Sequence, residues 1–495
     1  MNATSKTFSG GTLFRAHPNA VSESTPTIKK SAKLNIAFAG LFLFTFLLYA
    51  RPQEMFPEVF GNFPLVKIVA IGTLLAYLMT KLTAGERLTC LPLELLMVFA
   101  IALLGILFIP IAVAPQDSFK VLLDVYLKVI IIFLLMINLL TAYHRLRSLI
   151  NLAVICGAAL ALFAIVSYLN GKFLVQGKIA TNRIAGVVAG MFGNPNDLAL
   201  SLNLLLPLAV ALALSSRGWK KPFFLICAGL LSIGVIVTFS RGGFLGLVAL
   251  SLVLLWKLSR RNRGLTILAF LIATGFFLVV MPSGYSNRIT TIFSIEEDLT
   301  GSAQARRELL TRGVEVAANH LIIGVGMGNF HVYSIREQVA HNSYLEISAE
   351  LGVAGLIAYL ILIFSPFRSL QRIERQTRKA PRGALIKGRD APPEQHAYYF
   401  SVALQASFVA YVVCSFFGSV QYLWHIYYLV AYAISLRTIY ASEQEAVEPE
   451  GEKAMTLGQA LNRNVRLGVL WKAHQKADAK PAEIFHRAAM HPKSD

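Results

Sequence analysis

The sequence predicts an all-α polytopic membrane protein, and three properties support this fold class. Of its 495 residues, 55% are hydrophobic and only 15% are charged. The mean hydropathy is +0.59. The apolar residues are gathered into a dozen runs bounded by charges, most of them long enough to cross a bilayer as helices. A soluble protein of this size would have to bury all these runs in separate cores, so membrane spans are the simpler interpretation.

Twelve transmembrane helices are predicted, one for each apolar run. In chain order they are residues 34–50, 64–80, 93–113, 121–140, 149–169, 197–214, 223–239, 244–256, 265–281, 347–364, 398–417 and 422–440. Residues 1–33 form a polar N-terminal segment, and residues 441–495 form a polar tail. Arg51 follows the first run directly, where a signal peptide would have a small-residue cleavage site, so an uncleaved first span is expected.

Basic residues concentrate in alternate connections between the predicted spans. The positive-inside bias places these connections, and with them both termini, in the cytoplasm. The residues are Arg145, Arg147, Arg217, Lys220, Lys221, Lys257, Arg260, Arg261, Arg263 and the eight lysines and arginines between Arg368 and Arg389. Because this topology accounts for much of the formal charge of +19, nucleic-acid binding is not predicted. Two long loops, residues 170–196 and 282–346, then lie on the outer face.

The loop at residues 282–346 contains a short amphipathic helix followed by the glycine-rich segment GVGMGNF. Its glycines, Gly324, Gly326 and Gly328, lack the preceding strand and the Lys-Ser/Thr pair of a phosphate-binding loop. We therefore expect a flexible turn over the membrane surface.

Arg241 lies at the outer boundary of two spans, in the segment TFSRGGFLG. A guanidinium held at that surface favours an anionic partner. Two alternatives remain open at this point: the side chain reaches lipid phosphates, or it caps the C-terminus of a helix.

The segment FGNPND, at the start of the sixth predicted span, is a helix-start signal in which Asn194 or Asn196 supplies the cap. This role alone explains the segment. Arg183, upstream on the same loop, adds a second outward arginine, and arginines beside a helix N-terminus make an anion site.

A third basic cluster lies in GSAQARRELLTRG, with Arg306 and Arg307 adjacent and Arg288 upstream. These arginines either form an ordinary solvated face paired with Glu308 and Glu315, or join Arg241 and Arg183 around a ligand of diphosphate size. The three outer segments each offer a guanidinium, which favours the second interpretation.

His341 is the histidine of the long loop that stands at the head of a membrane span. A neutral imidazole can accept a proton from a hydroxyl group, although a hydrogen-bonded interfacial histidine or a cap is the alternative. In a continuous helix Tyr344 shares the face of His341, whereas Glu350 lies about 180° away and is a poor orienter of the imidazole. No paired-histidine spacing suggests a metal.

Four motifs in this order resemble the O-antigen ligase and O-antigen polymerase superfamily. They are FGNPND before a leucine-rich span, TFSRGGFLGL, a long loop with Arg306 and GVGMGNF, and HNSYLEISAELGVAGLIAYL. The resemblance covers roughly residues 180–365. The combined order and spacing of the motifs make it specific.

The resemblance implies a bacterial inner-membrane glycosyltransferase of the C type, with a helical periplasmic loop between spans 9 and 10. Such enzymes are metal-independent, inverting and cofactor-free, and they take a glycan from undecaprenyl diphosphate. In the family's pattern the loop histidine, here His341, activates the acceptor hydroxyl. The residues implied to hold the donor diphosphate are Arg241, Arg306, Arg183, Arg307 and Arg288. The supporting residues are Asn194, Asn196, Asn342 and Tyr344.

The acceptor is left open by the motifs. A ligase transfers the finished glycan to lipid A core, which is the leading expectation, whereas a polymerase extends another lipid-linked glycan. A protein-glycosylating relative is a third form of the same chemistry. A transporter or flippase belongs to a different class, and it predicts broken helices in corresponding halves of the chain and ionisable groups near the middle of the membrane.

Overall fold

The computed structural model describes residues 25–52, 57–60, 64–86, 88–171, 175–176, 179–180, 192–259, 264, 268, 302–378 and 393–444. Residues 1–91 form one compact unit and residues 92–495 form another. The first unit contains helix α1 (Thr25–Ala50), a one-turn helix (Pro57–Phe60) and helix α2 (Leu65–Thr83). Helices α1 and α2 pack closely where Gly40 faces Thr73, since a Cβ on the glycine would lie 2.3 Å from Thr73 Oγ1.

The second unit is a helical bundle. Its helices are α3 (Leu93–Leu107), α4 (Pro115–Leu139), α5 (Tyr143–Leu169), α6 (Pro195–Ser215), α7 (Lys220–Val237), α8 (Arg241–Ser259), α9 (Ser302–Asn319), α10 (Ser343–Thr377), α11 (Pro393–Ser415) and α12 (residues 424–444). Short helical turns occur at Ile109–Ile111, Phe330–Tyr333 and Ile335–Glu337. Within the loop at residues 170–196, strands β1 (Val175–Gln176) and β2 (Ile179–Ala180) form a two-residue antiparallel pair with Val175 opposite Ala180.

Nine helices of the described part are long and apolar enough to cross a membrane. They are α2, Leu93–Ile111, α4, α5, α6, α7, α8, α10 and the part of α11 from Gln395 to Ser415. The predicted fold class, a polytopic all-α membrane protein, is therefore confirmed. Two further predicted spans correspond to the shorter apolar helix Asn35–Ala50 and to α12. The ninth predicted span, residues 265–281, lies outside the described residues except for residue 268, so the total of twelve stays a prediction.

Helix α6 forms the centre of the bundle. Nearly every residue between Leu198 and Ala213 is buried, because the helix packs against α5, α7, α8 and α11. Membrane helices approach closely where small residues face each other. A Cβ on Gly243 of α8, for example, would lie 2.5 Å from the Cβ of Ala199 of α6. This contact presses the first turn of α8 against the start of α6.

Candidate functional site

Helices α6 and α8 begin side by side. Asn194 caps α6, since its side chain accepts a hydrogen bond from the N–H of Asn196 at 3.0 Å. The Asn196 side-chain oxygen accepts a hydrogen bond from the Ser240 hydroxyl at 2.8 Å. Ser240 in turn caps α8 by accepting a hydrogen bond from the N–H of Gly243 at 3.1 Å. The two asparagines are thus helix-start residues, and one Asn–Ser bond joins the two starts.

Arg241 is the first residue of α8 and is partly buried. The chain reaches it through Phe239, which is in the left-handed region with φ 54° and is only 2% exposed. The next residue, Gly242, lies against the turn between α11 and α12, because a Cβ there would lie 2.8 Å from the Cβ of Phe417. The Ser-Arg-Gly motif therefore caps α8, allows this close contact and sets Arg241 at the helix N-terminus.

His341 precedes α10 in a left-handed conformation with φ 51°. Its N–H donates to the hydroxyl of Ser419 at 3.1 Å. Asn342 is the N-cap of α10, and its side-chain oxygen accepts from the N–H groups of Tyr344 and Leu345 at 3.0 and 3.1 Å. Because His341 lies before the cap, the helix is not continuous through it, and the face it would have shared with Tyr344 in a continuous helix is not formed.

The buried carboxyl group of Glu346 fixes the backbone around His341. It accepts hydrogen bonds from the N–H of Ala340 at 2.9 Å, from the side-chain amide of Gln421 at 2.8 Å and from the hydroxyl of Ser419. Ser419 also accepts the His341 N–H. The consecutive N–H groups of Ala340 and His341 are thus bonded to the Glu346 carboxyl group and the Ser419 hydroxyl, which are bonded to each other.

Glu346 was not among the residues identified from the sequence. The helix-face comparison sought a partner for the imidazole ring of His341. The Glu346 carboxyl group instead bonds to the backbone next to His341. The available signal was an acidic residue close to a histidine in a segment that enters the membrane.

A second buried carboxyl group, that of Glu350, connects α10 to the loop and to the turn before α12. It accepts hydrogen bonds from the N–H of Phe330 at 3.2 Å and from the hydroxyl of Tyr422 at 2.8 Å. The Tyr422 phenol is the donor in the second of these bonds, so the Glu350 carboxyl group joins the loop to the turn before α12.

Tyr344 and Ser343 join the first turn of α10 to the end of α11. The Tyr344 hydroxyl donates to the carbonyl oxygen of Val412 at 3.1 Å and accepts from the hydroxyl of Ser415 at 2.9 Å. The Ser343 hydroxyl donates to the carbonyl oxygen of Gly418 at 2.7 Å. The predicted supporting residue Tyr344 therefore anchors the helix start within the protein.

The starts of α8 and α10 flank the same three residues, 417–419. Gly242 lies against Phe417, and the N–H of His341 donates to Ser419. We call this end of the bundle, where α6, α8 and α10 begin, the loop face. A helix N-terminus carries a partial positive charge, so three of them close together favour an anion. Arg241 precedes the glycine that meets Phe417, and His341 itself bonds to Ser419, so both residues adjoin this cluster.

The other predicted arginines are described only in part. Arg307 is exposed on α9, and Arg306 is in the same helix although its side chain is not described. Helix α9 packs on the first turns of α10, where a Cβ on Gly313 would lie 3.5 Å from the Leu345 side chain. Arg183 and Arg288 lie outside the described residues. The convergence of several guanidiniums therefore stays a prediction.

The glycine-rich segment of the loop is tightly packed, so the expectation of a flexible turn was wrong. A Cβ on Gly324 would lie 2.1 Å from the carbonyl oxygen of Glu350. A Cβ on Gly326, where φ is +100°, would lie 2.6 Å from the Cβ of Ala112. The absence of a side chain on these glycines allows the loop backbone to approach its neighbours closely. Within the described residues, no group of three or more His, Cys, Asp or Glu side chains is arranged to hold a metal ion.

Comparison with known families gives a match to part of the chain. Residues 226–360 match the family model of O-antigen ligase, a segment that runs from α7 into α10 and includes Arg241 and His341. Comparison with curated proteins returned no match. Over residues 226–360 the chain is therefore similar to the O-antigen ligase family, which confirms the resemblance to the O-antigen ligase and polymerase superfamily.

Proposed function

We propose that this protein transfers a glycan from undecaprenyl diphosphate to an acceptor hydroxyl group, on the periplasmic face of the bacterial inner membrane. The similarity to the O-antigen ligase family supports glycan transfer of the ligase or polymerase type. The observation that carries the proposal is that the starts of α8 and α10, which carry Arg241 and His341, both contact residues 417–419.

The donor diphosphate binds at the loop face in this proposal. As the glycosidic bond breaks, negative charge grows on the leaving diphosphate. The guanidinium of Arg241 and the N-termini of α6 and α8 are placed to stabilise that charge more in the transition state than in the ground state. Arg183, Arg306, Arg307 and Arg288 supply further guanidiniums from the two long loops. No metal ion or cofactor takes part.

His341 acts as the general base. Its imidazole accepts the proton of the acceptor hydroxyl while the hydroxyl oxygen bonds to the anomeric carbon of the donor sugar. The bond between that carbon and the diphosphate oxygen breaks, and its electron pair leaves with the diphosphate. Attack from the side opposite the leaving group inverts the configuration at the anomeric carbon.

Substitution of His341 tests the general base. His341→Ala is expected to lower transfer by about 10²- to 10⁴-fold, the usual contribution of such a group. The control is His320→Ala, a second histidine of the same loop whose ring packs on Tyr333. Transfer is measured with purified protein, lipid-linked donor and acceptor. Near-normal transfer by His341→Ala would remove the general-base role.

Arg241→Lys tests the diphosphate contact. Lysine keeps the positive charge but loses the planar fork that matches phosphate oxygens. We expect transfer to fall about 10²-fold, as when one preorganised donor is removed from a transition state. The measurement is the rate at saturating donor together with the donor concentration that gives half of that rate. Unchanged kinetics would assign Arg241 to lipid phosphates or to helix capping.

Ligation to lipid A core is our leading form of the reaction, and polymerisation is the alternative. The two differ in what accumulates when the gene is deleted. Long polymer that remains lipid-linked indicates a ligase, because synthesis proceeds without attachment. Single repeat units indicate a polymerase.

A transporter or flippase is the proposal from a different class. Broken helices alone do not distinguish the two classes, but a transporter binds its substrate near the middle of the membrane and opens to both sides. Those of the proposed site residues that the structure describes lie at one end of the bundle. Transfer in detergent solution, where no compartments exist, separates the classes: covalent product there supports an enzyme, and its absence with active donor and acceptor supports transport.

A further inference from the structure

Helix α10 is interrupted at Gly352, where φ is +65° and ψ is −170°. In a continuous helix the N–H of Val353 would donate to the carbonyl oxygen of Ala349. Here it donates to the carbonyl oxygen of Leu321 at 2.8 Å, and Ala349 accepts instead from the N–H of Val325 at 2.9 Å. The loop segment 321–325 therefore occupies the break in the helix.

Two glycines hold this segment at a fixed level along α10. A Cβ on Gly352 would lie 2.7 Å from the carbonyl oxygen of Ile322, and a Cβ on Gly324 would lie 2.1 Å from that of Glu350. The two backbones thus touch with no room for a side chain on either glycine. A helix break at the membrane is tolerated when other protein groups satisfy its free backbone atoms, which the loop does here.

The segment exposes three consecutive large aliphatic side chains. Leu321, Ile322 and Ile323 are 57%, 79% and 54% exposed. We call these residues the apolar tip. Leaving such a side chain in water is unfavourable relative to burying it in an apolar environment. Three in a row therefore favour an apolar environment.

The apolar tip continues a lipid-facing stripe of α10. The stripe consists of Val353, Ile357 and Phe364, which are 42%, 52% and 48% exposed and lie on one helical face. It begins at the residue whose N–H bonds to the tip. Residues 351–364 contain no charge and belong to a helix long and apolar enough to span a membrane. The tip thus lies at the level where the apolar part of this span begins.

We propose that the apolar tip inserts among the acyl chains of the leaflet at the loop face and anchors the loop at residues 302–342 to the bilayer. The anchor fixes the height of the loop over the membrane, because residues 325 and 330 are bonded to α10 directly behind it. This inference does not rest on the proposed function, since it concerns only the membrane contact of the loop.

The test places an environment-sensitive fluorophore on Ile322→Cys. Cys90 and Cys156, which are exposed and partly exposed, are first replaced by serine. The protein is reconstituted into phospholipid vesicles without polyprenyl lipids, in which a fraction of the acyl chains carries a nitroxide quencher near the glycerol end. Ile357→Cys, on the lipid-facing stripe, is the positive control. Glu315→Cys, on α9 with a side chain 53% exposed, is the aqueous control.

We expect the label on Ile322→Cys to be quenched to the same extent as that on Ile357→Cys, and the label on Glu315→Cys to keep its fluorescence. Quenching of Ile322→Cys no greater than that of Glu315→Cys would overturn the proposal, because the tip would then lie in water. Failure of Ile322→Cys to react with the fluorophore until the protein is unfolded would also overturn it, because protein would then cover the tip.

Discussion

A histidine in the left-handed region is strained by about 1–3 kcal/mol, so surrounding contacts must hold it there. For His341 those contacts are to its backbone: its own N–H is bonded to Ser419, and the preceding N–H is bonded to Glu346. The bond between Ser419 and Glu346 closes the arrangement. The direction in which the imidazole leaves the chain therefore depends on two residues that do not have to touch it.

Substitution of Glu346 separates the shape of this group from its charge. Glu346→Ala leaves three donors, on Ala340, Ser419 and Gln421, without their acceptor, at about 1–3 kcal/mol for each buried group. Glu346→Gln keeps an oxygen for two of them. The side-chain oxygen of Gln421 has no hydrogen-bond partner within the described part of the chain, so this amide can turn to accept from the new one.

We therefore expect Glu346→Ala to lose both thermal stability in detergent and transfer activity, and Glu346→Gln to keep most of both. Each variant is compared with wild-type protein by its unfolding temperature and by its rate per folded molecule. Equal loss in the two variants would show that the negative charge, not the set of acceptors, is what the backbone of His341 requires.

Arg241 and His341 could be singled out from the sequence because their signals are local, whereas Asn342 came from the family resemblance. A serine or asparagine before an apolar run marks a helix start, and a charged residue beside it stands out. Ser419 could not be identified in this way, because it meets His341 from 78 positions further along the chain. Its segment carries no charge or motif that points to the loop. Only the folded bundle brings the two together.

At the scale of the helix, α10 combines a predictable length with an unpredictable break. An uncharged run over residues 351–364 indicates a span, and isolated glycines such as Gly352 and Gly355 are usually tolerated inside such a run. The break at Gly352 depends on the loop segment 321–325, which supplies the missing hydrogen-bond partners. The apolar periodicity of α10 predicts that helix alone. It carries no information about loop segment 321–325, which is distant in the sequence.

Alanine at Gly324 or Gly352 tests this contact. The new Cβ would lie 2.1 Å from the Glu350 carbonyl oxygen in the first case and 2.7 Å from that of Ile322 in the second. Because both neighbours are backbone atoms, we expect the loop to separate from α10 in each variant. Gly229→Ala is the control, since a Cβ there meets nothing within 4 Å.

Limited trypsin digestion measures the separation of the loop from α10. Trypsin cleaves after arginine, and Arg307 and Arg312 lie on helix α9 of the loop. Faster cleavage there is expected for Gly324→Ala and Gly352→Ala, with Gly324→Ala the more severe, and no change is expected for Gly229→Ala. Wild-type cleavage rates in all three variants would mean that the loop does not depend on the glycine contact.

For the molecule as a whole, helices α8, α10 and α11 are joined at both ends. At the loop face they meet around residues 417–419. At the other end, Lys257 of α8 forms an ion pair with Glu374 of α10 at 2.5 Å, and Gln405 of α11 donates to the same carboxyl oxygen at 2.9 Å. The charge pattern of the sequence predicts Lys257 only as one of the basic residues in a cytoplasmic connection. The structure buries it, with 8% exposure, against an acid 117 positions away.

Removing one partner of a buried ion pair costs more than removing both, because a lone buried charge remains. Lys257→Met leaves the carboxyl group of Glu374 with only the amide of Gln405, and we expect a loss of about 3–5 kcal/mol of stability. The double variant Lys257→Met/Glu374→Met removes both charges and is expected to recover much of that loss. Unfolding temperatures in detergent measure both effects.

Since the pair lies at the end opposite His341, the rate of transfer per folded molecule should stay close to wild type. A double variant less stable than Lys257→Met would show that these helices are held by the charges themselves, and a slow but well-folded variant would show that the two ends of the three helices are coupled.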